Sequence, residues 1–237
     1  MQLKTNKQKS QTVREGYTKI AEKYHNQRSI YPNKGLLLKF IKHLPKNSRV
    51  LDLGCGARVP ISKFLVDNGH KVTGIDFANG MLRLAKKNVP KARFLRMDIT
   101  KLKLNPNSFD GAVSFYAIIH VPRERHFRIY KSLHRILRDN AVILVNAGGN
   151  KEWEEVAEGY MGVQMFWSFY SPKRTVSIIK NAGFDIIWNK MSKTTHQRWV
   201  VFEHARKFLQ NQYVIKISDI LKLGGETQFW VMAKNQK

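Results

Sequence analysis

The chain has 237 residues, 43% of them hydrophobic, which is enough to bury the core of one large α/β domain. No stretch approaches the roughly 18 consecutive apolar residues of a membrane span, and the lysine-rich start lacks the apolar core of a signal peptide. Cys55 is the only cysteine, so an internal disulfide and a cysteine-rich metal site are both excluded. We expect one cytoplasmic domain without a metal site.

The charge is strongly positive, with 42 Lys and Arg against 17 Asp and Glu, a net charge of +25. Such an excess favours polyanions such as RNA, DNA or anionic lipid. The basic residues are spread along the chain, however, and a compositionally biased genome produces the same surplus. Charge alone leaves open whether the protein has an anionic partner.

Apolar segments bounded by turn residues alternate with segments of helical periodicity, which predicts β-α-β units around a mainly parallel sheet. Helices are predicted at "NKGLLLKFIKHLP" and "NGMLRLAKKN", with asparagines as caps, and at "YSPKRTVSIIKNAGF". In the last of these, Ser171 is placed to cap, Pro172 fits the first helical position and Gly183 fits the stop. The predicted strands are Arg49–Leu53, Lys71–Ile75, Ala92–Arg96, Gly111–Phe115, Ala141–Asn146, Asp185–Asn189 and Gln228–Ala233.

Two further segments stand out. The helix predicted at "PRERHFRIYKSLHRILRD" places Arg128, Lys131, Arg135 and Arg138 on one face, either as a stripe for a phosphate backbone or as an ordinary solvated face. The segment 193–223 is longer than a strand connection requires, and "WVVFEHARKFLQNQ" within it predicts an extra helix.

The stretch "LDLGCG" predicts a strand that runs into a glycine turn. Gly54 and Gly56 let the backbone turn sharply and bring its amides close to a ligand. A dinucleotide site requires another glycine three residues after Gly56, where this chain has Val59. The spacing therefore argues against NAD.

Three acidic residues occur at successive strand ends. Asp52 precedes the first glycine, Asp76 ends the second strand, where a carboxylate can hold the ribose hydroxyls of a nucleoside, and Asp98 follows the third strand. Three carboxylates suit a positively charged ligand with a ribose better than they suit a pyrophosphate. The pattern favours an adenosyl sulfonium, although each acid also has an ordinary structural explanation.

With these motifs, residues 17–183 and the last strand resemble the class I S-adenosylmethionine-dependent methyltransferases of the small-molecule type. The resemblance implies a three-layer α/β/α sandwich, a Rossmann-like fold with a seven-stranded, mostly parallel sheet whose last strand is antiparallel. It implies S-adenosylmethionine as cofactor and S-adenosylhomocysteine as product. It also implies an N-terminal cap helix at about residues 10–30, a lid at about 150–170 and the insertion at 193–223. The cofactor-binding residues it implies are Asp52, Gly54, Gly56, Asp76, Phe77, Met81, Asp98, Ile99, Tyr17, Tyr24 and Phe115.

Arg58 stands where this family has a third glycine. A side chain there either points outward harmlessly, or pushes the loop away and weakens cofactor binding or catalysis. The sequence does not decide between these alternatives.

His120 lies after the fourth strand, where the superfamily exposes residues to the transferred methyl group. A histidine titrates near neutral pH, so it suits a general base, although it can equally serve as a pocket-shaping residue. An aromatic cluster at residues 153–170 suits an apolar acceptor, a stacked base or simple core packing. The substrate-site residues predicted here are Tyr116, His120, Tyr160, Phe166 and Trp167.

The sequence therefore predicts a methyltransferase that acts on a small or medium organic acceptor, with the O, N or C acceptor atom open. The alternatives are an RNA methyltransferase, motivated by the charge, and a catalytically inactive protein that binds the cofactor or a polyanion, motivated by Arg58.

Overall fold

The computed structural model describes residues 5–26, 34–57, 60–193 and 227–237. Within these ranges the chain forms a seven-stranded sheet covered by helices and a separate two-stranded hairpin. The strands are β1 Arg49–Leu53, β2 Lys71–Asp76, β3 Arg93–Arg96, β4 Phe109–Ser114, β5 Leu137–Asn146, β6 Trp153–Tyr160, β7 Val163–Phe169, β8 Phe184–Lys193 and β9 Thr227–Asn235. The helices are α1 Asn6–Lys19, α2 Ala21–Asn26, α3 Lys34–Ile41, α4 Pro60–Asp67, α5 Asn79–Asn88, α6 His126–Ile136 and α7 Pro172–Asn181.

The order of strands in the sheet is β3-β2-β1-β4-β5-β9-β8. Every neighbouring pair is parallel except those of β9, which runs antiparallel to both β5 and β8. This arrangement confirms the predicted Rossmann-like fold, and all seven predicted strands are present. Because β1 to β4 are parallel, their carboxyl ends meet at one edge of the sheet, where ligands bind in open α/β folds.

The two faces of the sheet are buried against different helices because side chains alternate along each strand. Leu51 and Ile143 face the cluster that contains residues of α6 and α7. Val50 and Val113 face the cluster that contains residues of α3 and α4. These two apolar layers make the sheet a rigid base for the loops at its edge.

The predicted N-terminal cap is two short helices, α1 and α2, and it begins earlier than residue 10. A capping box starts α1: the Thr5 hydroxyl accepts a bond from the Gln8 N–H, and the Gln8 side chain accepts one from the Thr5 N–H. Gly16 allows α1 to pack closely on β7, because a Cβ there would lie 3.1 Å from the Met165 side chain.

The predicted lid region, residues 150–170, forms the antiparallel hairpin β6–β7. The predicted insertion at 193–223, with its helix, falls almost wholly outside the described residues. None of the helices in the described ranges is both long and apolar enough to cross a membrane.

Three local predictions are wrong. The helix predicted through Asp139 ends at Ile136, because the chain turns into β5 and the Arg138 guanidinium bonds the Asp110 carboxylate at 2.6 Å. Asn79 does not cap α5; Ala78 holds that position, and its N–H donates to Asp76. Ser171 does hold the cap position of α7, but its side chain makes no capping bond.

Candidate active site

A cavity opens at the carboxyl edge of the sheet, between the loops that follow β1 to β4 and the helices α1 and α2. Its free space, including the open mouth, is about 680 Å³. Most of the predicted cofactor residues line it. These are Tyr17, Tyr24, Gly54, Gly56, Asp76, Phe77, Met81, Asp98, Ile99 and Phe115, joined by the predicted substrate residues Tyr116 and His120.

The glycine loop after β1 passes close to the loop after β4. Gly54 and Gly56 have φ of +64° and +56°, in the left-handed region that favours glycine. A Cβ on Gly54 would lie 2.2 Å from the Cβ of Ala117, which itself lines the cavity. The close passage of the two loops therefore requires glycine at position 54.

The carboxylate of Asp76 fixes the shape of this part of the cavity. One oxygen accepts a bond from the Gly56 N–H at 2.9 Å, and the other accepts one from the Ala78 N–H at 2.8 Å. These two bonds fix the orientation of the carboxylate at the edge of the cavity. Asp98 is also fixed by hydrogen bonds, but through one oxygen: its Oδ1 accepts bonds from the N–H and the hydroxyl of Thr100, both at 2.8 Å.

Asp52 does not line the cavity. It is 1% exposed, and its carboxylate accepts a bond from the Ser62 hydroxyl at 2.7 Å. The contact ties the end of β1 to α4 behind the glycine loop. Arg58 and Val59, on which the sequence left alternatives open, lie outside the described residues.

His120 and Tyr17 form a hydrogen-bonded pair although they are 103 positions apart. The Tyr17 hydroxyl lies 2.8 Å from His120 Nε2, and His120 Nδ1 lies 2.7 Å from the backbone oxygen of Phe166. A carbonyl oxygen only accepts, so Nδ1 carries the proton and Nε2 accepts the bond from Tyr17. The hairpin thereby fixes both the tautomer and the orientation of the imidazole.

Three predicted substrate residues, Tyr160, Phe166 and Trp167, stand behind the cavity. The Trp167 ring lies 5.5 Å from the His120 ring and 5.0 Å from the Tyr160 ring. Phe166 is fully buried and contributes its backbone oxygen to His120. These aromatic residues support the imidazole and do not line the cavity themselves.

An ion pair joins α1 to the hairpin above the cavity. Lys9 Nζ lies 2.6 Å from the Glu154 carboxylate, which also accepts a bond from the Ser168 hydroxyl at 2.8 Å. Burial alone would raise the pKa of Glu154, but the bonds from Lys9 and Ser168 and the nearby charge of Arg123 lower it. Glu154 is therefore held as a carboxylate, and the ion pair joins the helix to the hairpin.

Tyr116 has a φ of +60°, which is strained for a bulky residue. Its ring packs edge-on to Trp230 with centroids 5.8 Å apart, and the residue lines the cavity directly after β4. Other lining residues were not named from the sequence: Ser10, Val13, Met97, Thr100, Ala117 and Val121. Ser10 and Val13 fall within the predicted cap at about residues 10–30, and the capping box "TNKQ" is the sequence signal for the earlier start of α1.

Comparison with known proteins places this site in a family. Residues 50–140 match the family model described as a methyltransferase domain. YqeM of Bacillus subtilis, whose name describes a methyltransferase, is 26% identical over 184 residues, which cover 71% of this chain and 74% of YqeM. The demethylmenaquinone methyltransferase of Chlamydia caviae is 31% identical over 149 residues, which cover 60% of this chain and 63% of that relative.

The solved structure of the 1,6-didemethyltoxoflavin-N1-methyltransferase of Burkholderia thailandensis, with S-adenosylhomocysteine bound, superimposes with a TM-score of 0.71. The match covers 100% of this chain and 93% of that one, at 13% sequence identity. This likeness establishes the shared fold.

The fold, the glycine loop and these matches support a class I S-adenosylmethionine-dependent methyltransferase of the small-molecule type. Its residues fit that cofactor. The positive φ angles of Gly54 and Gly56 turn the backbone beside the cavity, and the carboxylates of Asp76 and Asp98 suit a ligand with a ribose and a positive charge.

Proposed function

We propose that this protein transfers the methyl group of S-adenosylmethionine to a small or medium-sized organic acceptor that lies beside Tyr17 and His120. The observation that carries this proposal is that one cavity contains both the glycine loop with Asp76 and the Tyr17–His120 pair. S-adenosylmethionine, when bound, supplies an electrophilic methyl group on a sulfonium. The protein has to align the acceptor, exclude water and accept a proton where the acceptor releases one.

Cofactor binding is assigned to the residues at the sheet edge. The backbone at Gly54 and Gly56 would face the methionine part, and Asp76 would accept bonds from the ribose hydroxyls. Phe77 and Ile99 line the same cavity and would enclose the adenine, with Asp98 accepting a bond from its amino group. Asp52 would act indirectly, by fixing the glycine loop through α4.

Proton transfer is assigned to Tyr17 and His120 acting together. Because Nε2 of His120 accepts the Tyr17 hydroxyl proton, the tyrosine oxygen is the atom of the pair placed toward an acceptor in the cavity. As the acceptor releases its proton to that oxygen, the tyrosine proton moves to Nε2. The resulting imidazolium is stabilised by the Phe166 backbone oxygen at Nδ1. The arrangement favours an O–H or N–H acceptor.

The size of the acceptor is inferred from the walls of the cavity. Helix α1 lines one side of the cavity through Ser10, Val13 and Tyr17, and the Lys9–Glu154 ion pair joins this helix to the hairpin. Val13, Phe115 and Val121 give it an apolar wall. The names of two matched relatives, for demethylmenaquinone and 1,6-didemethyltoxoflavin, support a small organic acceptor here as well.

Calorimetric titration of S-adenosylmethionine tests the proposal. We expect binding at about micromolar affinity, near −8 kcal/mol. Asp76→Asn should weaken it by about 1.5–3 kcal/mol, because hydrogen bonds to a charged group are lost. Asp67→Asn is the matched control, since Asp67 lies exposed and pairs with Lys63 on α4. A folded protein that does not bind the cofactor, or equal losses in both variants, would contradict the proposal.

A further inference from the structure

A basic groove adjoins the cavity on its outer side. We define it by six cationic side chains that line one concave surface: Lys7, Arg14, Arg96, Lys101, Arg125 and Arg128. The groove and the cavity share Ser10, Asp98 and Thr100 in their walls. The cavity and the groove therefore adjoin along these residues.

The six cations come in pairs from three walls of the groove. Lys7 and Arg14, seven residues apart, lie on one face of α1. Arg96 and Lys101 flank the turn after β3. Arg125 and Arg128 lie at the start of α6, three residues apart. Side chains from three directions thus converge on one space.

These charges form no ion pair within the part of the chain that the structure describes. None of the six lies within 4.0 Å of a carboxylate oxygen among the described residues, whereas Arg123, Arg138 and Arg174 all form such ion pairs. Asp98 is the sole acid among the described residues that line the groove, and one of its oxygens is bonded to Thr100. A concave surface with this excess attracts an anion.

The cofactor does not account for six cations, because it carries a single carboxylate beside its cationic sulfonium and ammonium groups. We propose that the basic groove is an anion-binding subsite that takes a compact phosphate-type group, and that the methyl acceptor carries this group. Four of the six cations are arginines, whose planar guanidinium groups bond two phosphate oxygens at once. Assigning the anion to the acceptor rests on the proposed function, whereas anion binding itself does not.

The geometry favours a compact group over a nucleic acid backbone. A backbone would follow a continuous row of cations, such as the stripe from Arg128 to Arg138 that the sequence suggested. The structure interrupts that stripe: Arg135 donates to the backbone oxygens of Leu102 and Leu104, and Arg138 bonds Asp110. Beyond Lys131 the cations of this stripe are bonded within the protein, whereas the six cations of the groove line one concave surface.

Pyrophosphate is the probe, and its binding is measured by calorimetry at low ionic strength with and without saturating S-adenosylhomocysteine. The test variant is Lys7→Glu/Arg128→Glu, which reverses one exposed charge on each of two walls. The matched control is Lys86→Glu/Lys87→Glu, which reverses two exposed charges at the end of α5, away from the groove, with the same change in net charge. Cofactor affinity is measured on the same samples.

We expect the natural protein and the control to bind pyrophosphate alike, with affinity about tenfold or more lower in the test variant. Cofactor affinity should be the same in all three proteins. Equal weakening in the control would overturn the subsite, since binding would then report only net charge. Displacement of pyrophosphate by S-adenosylhomocysteine would overturn the assignment to the acceptor, since the two ligands would then share one position.

A single-stranded RNA of twelve nucleotides provides the remaining comparison. If RNA binds through this groove with an affinity that increases with its length, and pyrophosphate does not displace it, the compact-group proposal is overturned. If the cofactor itself does not bind, the proposed function fails while pyrophosphate binding remains measurable. The two failures are therefore distinguishable.

Discussion

The buried histidine His126 is expected to make the protein less stable in mild acid. Its side chain is 2% exposed, and its Nε2 donates to the backbone oxygen of Val121 at 2.9 Å, in the turn that follows His120. Burial lowers the pKa of His126 from 6.5 to about 4, and the charge of Arg123 also lowers it. The bond to Val121 and the charge of Glu124 raise this pKa but do not outweigh burial. The folded protein therefore holds this residue neutral.

The sign of the effect follows from the two pKa values. Above pH 6.5 His126 is neutral in both the folded and the unfolded state, and its full contribution to the stability of the fold is present. As the pH falls from 6.5 toward 4, the unfolded chain binds a proton that the folded protein does not bind, so stability is lost. A pKa lowered from 6.5 to about 4 corresponds to about 3 kcal/mol at 1.36 kcal/mol per unit.

The assay is urea unfolding of the natural protein and of His126→Gln between pH 7.5 and pH 4. Glutamine can still donate to the Val121 oxygen but does not titrate. The natural protein should lose about 3 kcal/mol more unfolding free energy than the variant over this range, because other titrating groups cancel in the difference. His43→Gln, at an exposed position after α3, reports the generic effect of the substitution. If the difference in unfolding free energy between the natural protein and His126→Gln stays constant with pH, the reasoning is refuted.

Two further substitutions test the site. Gly54→Ala should destabilise the fold by about 2–4 kcal/mol, because the backbone is left-handed there and the new Cβ clashes with Ala117; it should also weaken cofactor binding. The control is Gly69→Ala, where φ is +83° and no neighbour lies within 4 Å. This control should cost only the backbone strain of about 1–2 kcal/mol. If thermal unfolding shows equal losses of stability in Gly54→Ala and Gly69→Ala, the close passage of the loops is unimportant for stability. Tyr17→Phe should lower kcat by about a hundredfold or more for an acceptor that releases a proton, with cofactor affinity kept. Tyr24→Phe removes the hydroxyl of a neighbouring cavity residue whose ring packs edge-on to Tyr17, and an equal fall in kcat there would contradict the proton path.

The sheet was predictable because its signals are local. Runs such as Arg49–Leu53 and Lys71–Asp76 are apolar and bounded by turn residues, and their alternation with helical segments implies parallel strands. The cofactor side was predictable for the same reason. Gly54 and Asp76 each stand directly at a strand end, so the meeting of parallel strand ends brings them together.

The hairpin β6–β7 and the end of α6 were not predictable in this way. The sequence at 153–169 reads as an aromatic cluster, because burial along β7 does not alternate: the consecutive residues Met165 and Phe166 are both fully buried. The helical periodicity of α6 continues through Arg138, but pairing of Leu137 with Phe109 ends the helix first. Strand pairing with a distant segment overrode the local preference.

The sequence by itself determined the fold, the glycine loop and the two acids that line the cavity, Asp76 and Asp98, because each depends on residues close together in the chain. Only the tertiary structure decided how the chemistry is arranged. It joined Tyr17 to His120 across 103 positions, set the tautomer of that histidine through the Phe166 oxygen, and brought three pairs of cations to one groove. Contacts of this kind leave no periodic trace in the sequence, because neither partner needs a particular neighbour along the chain.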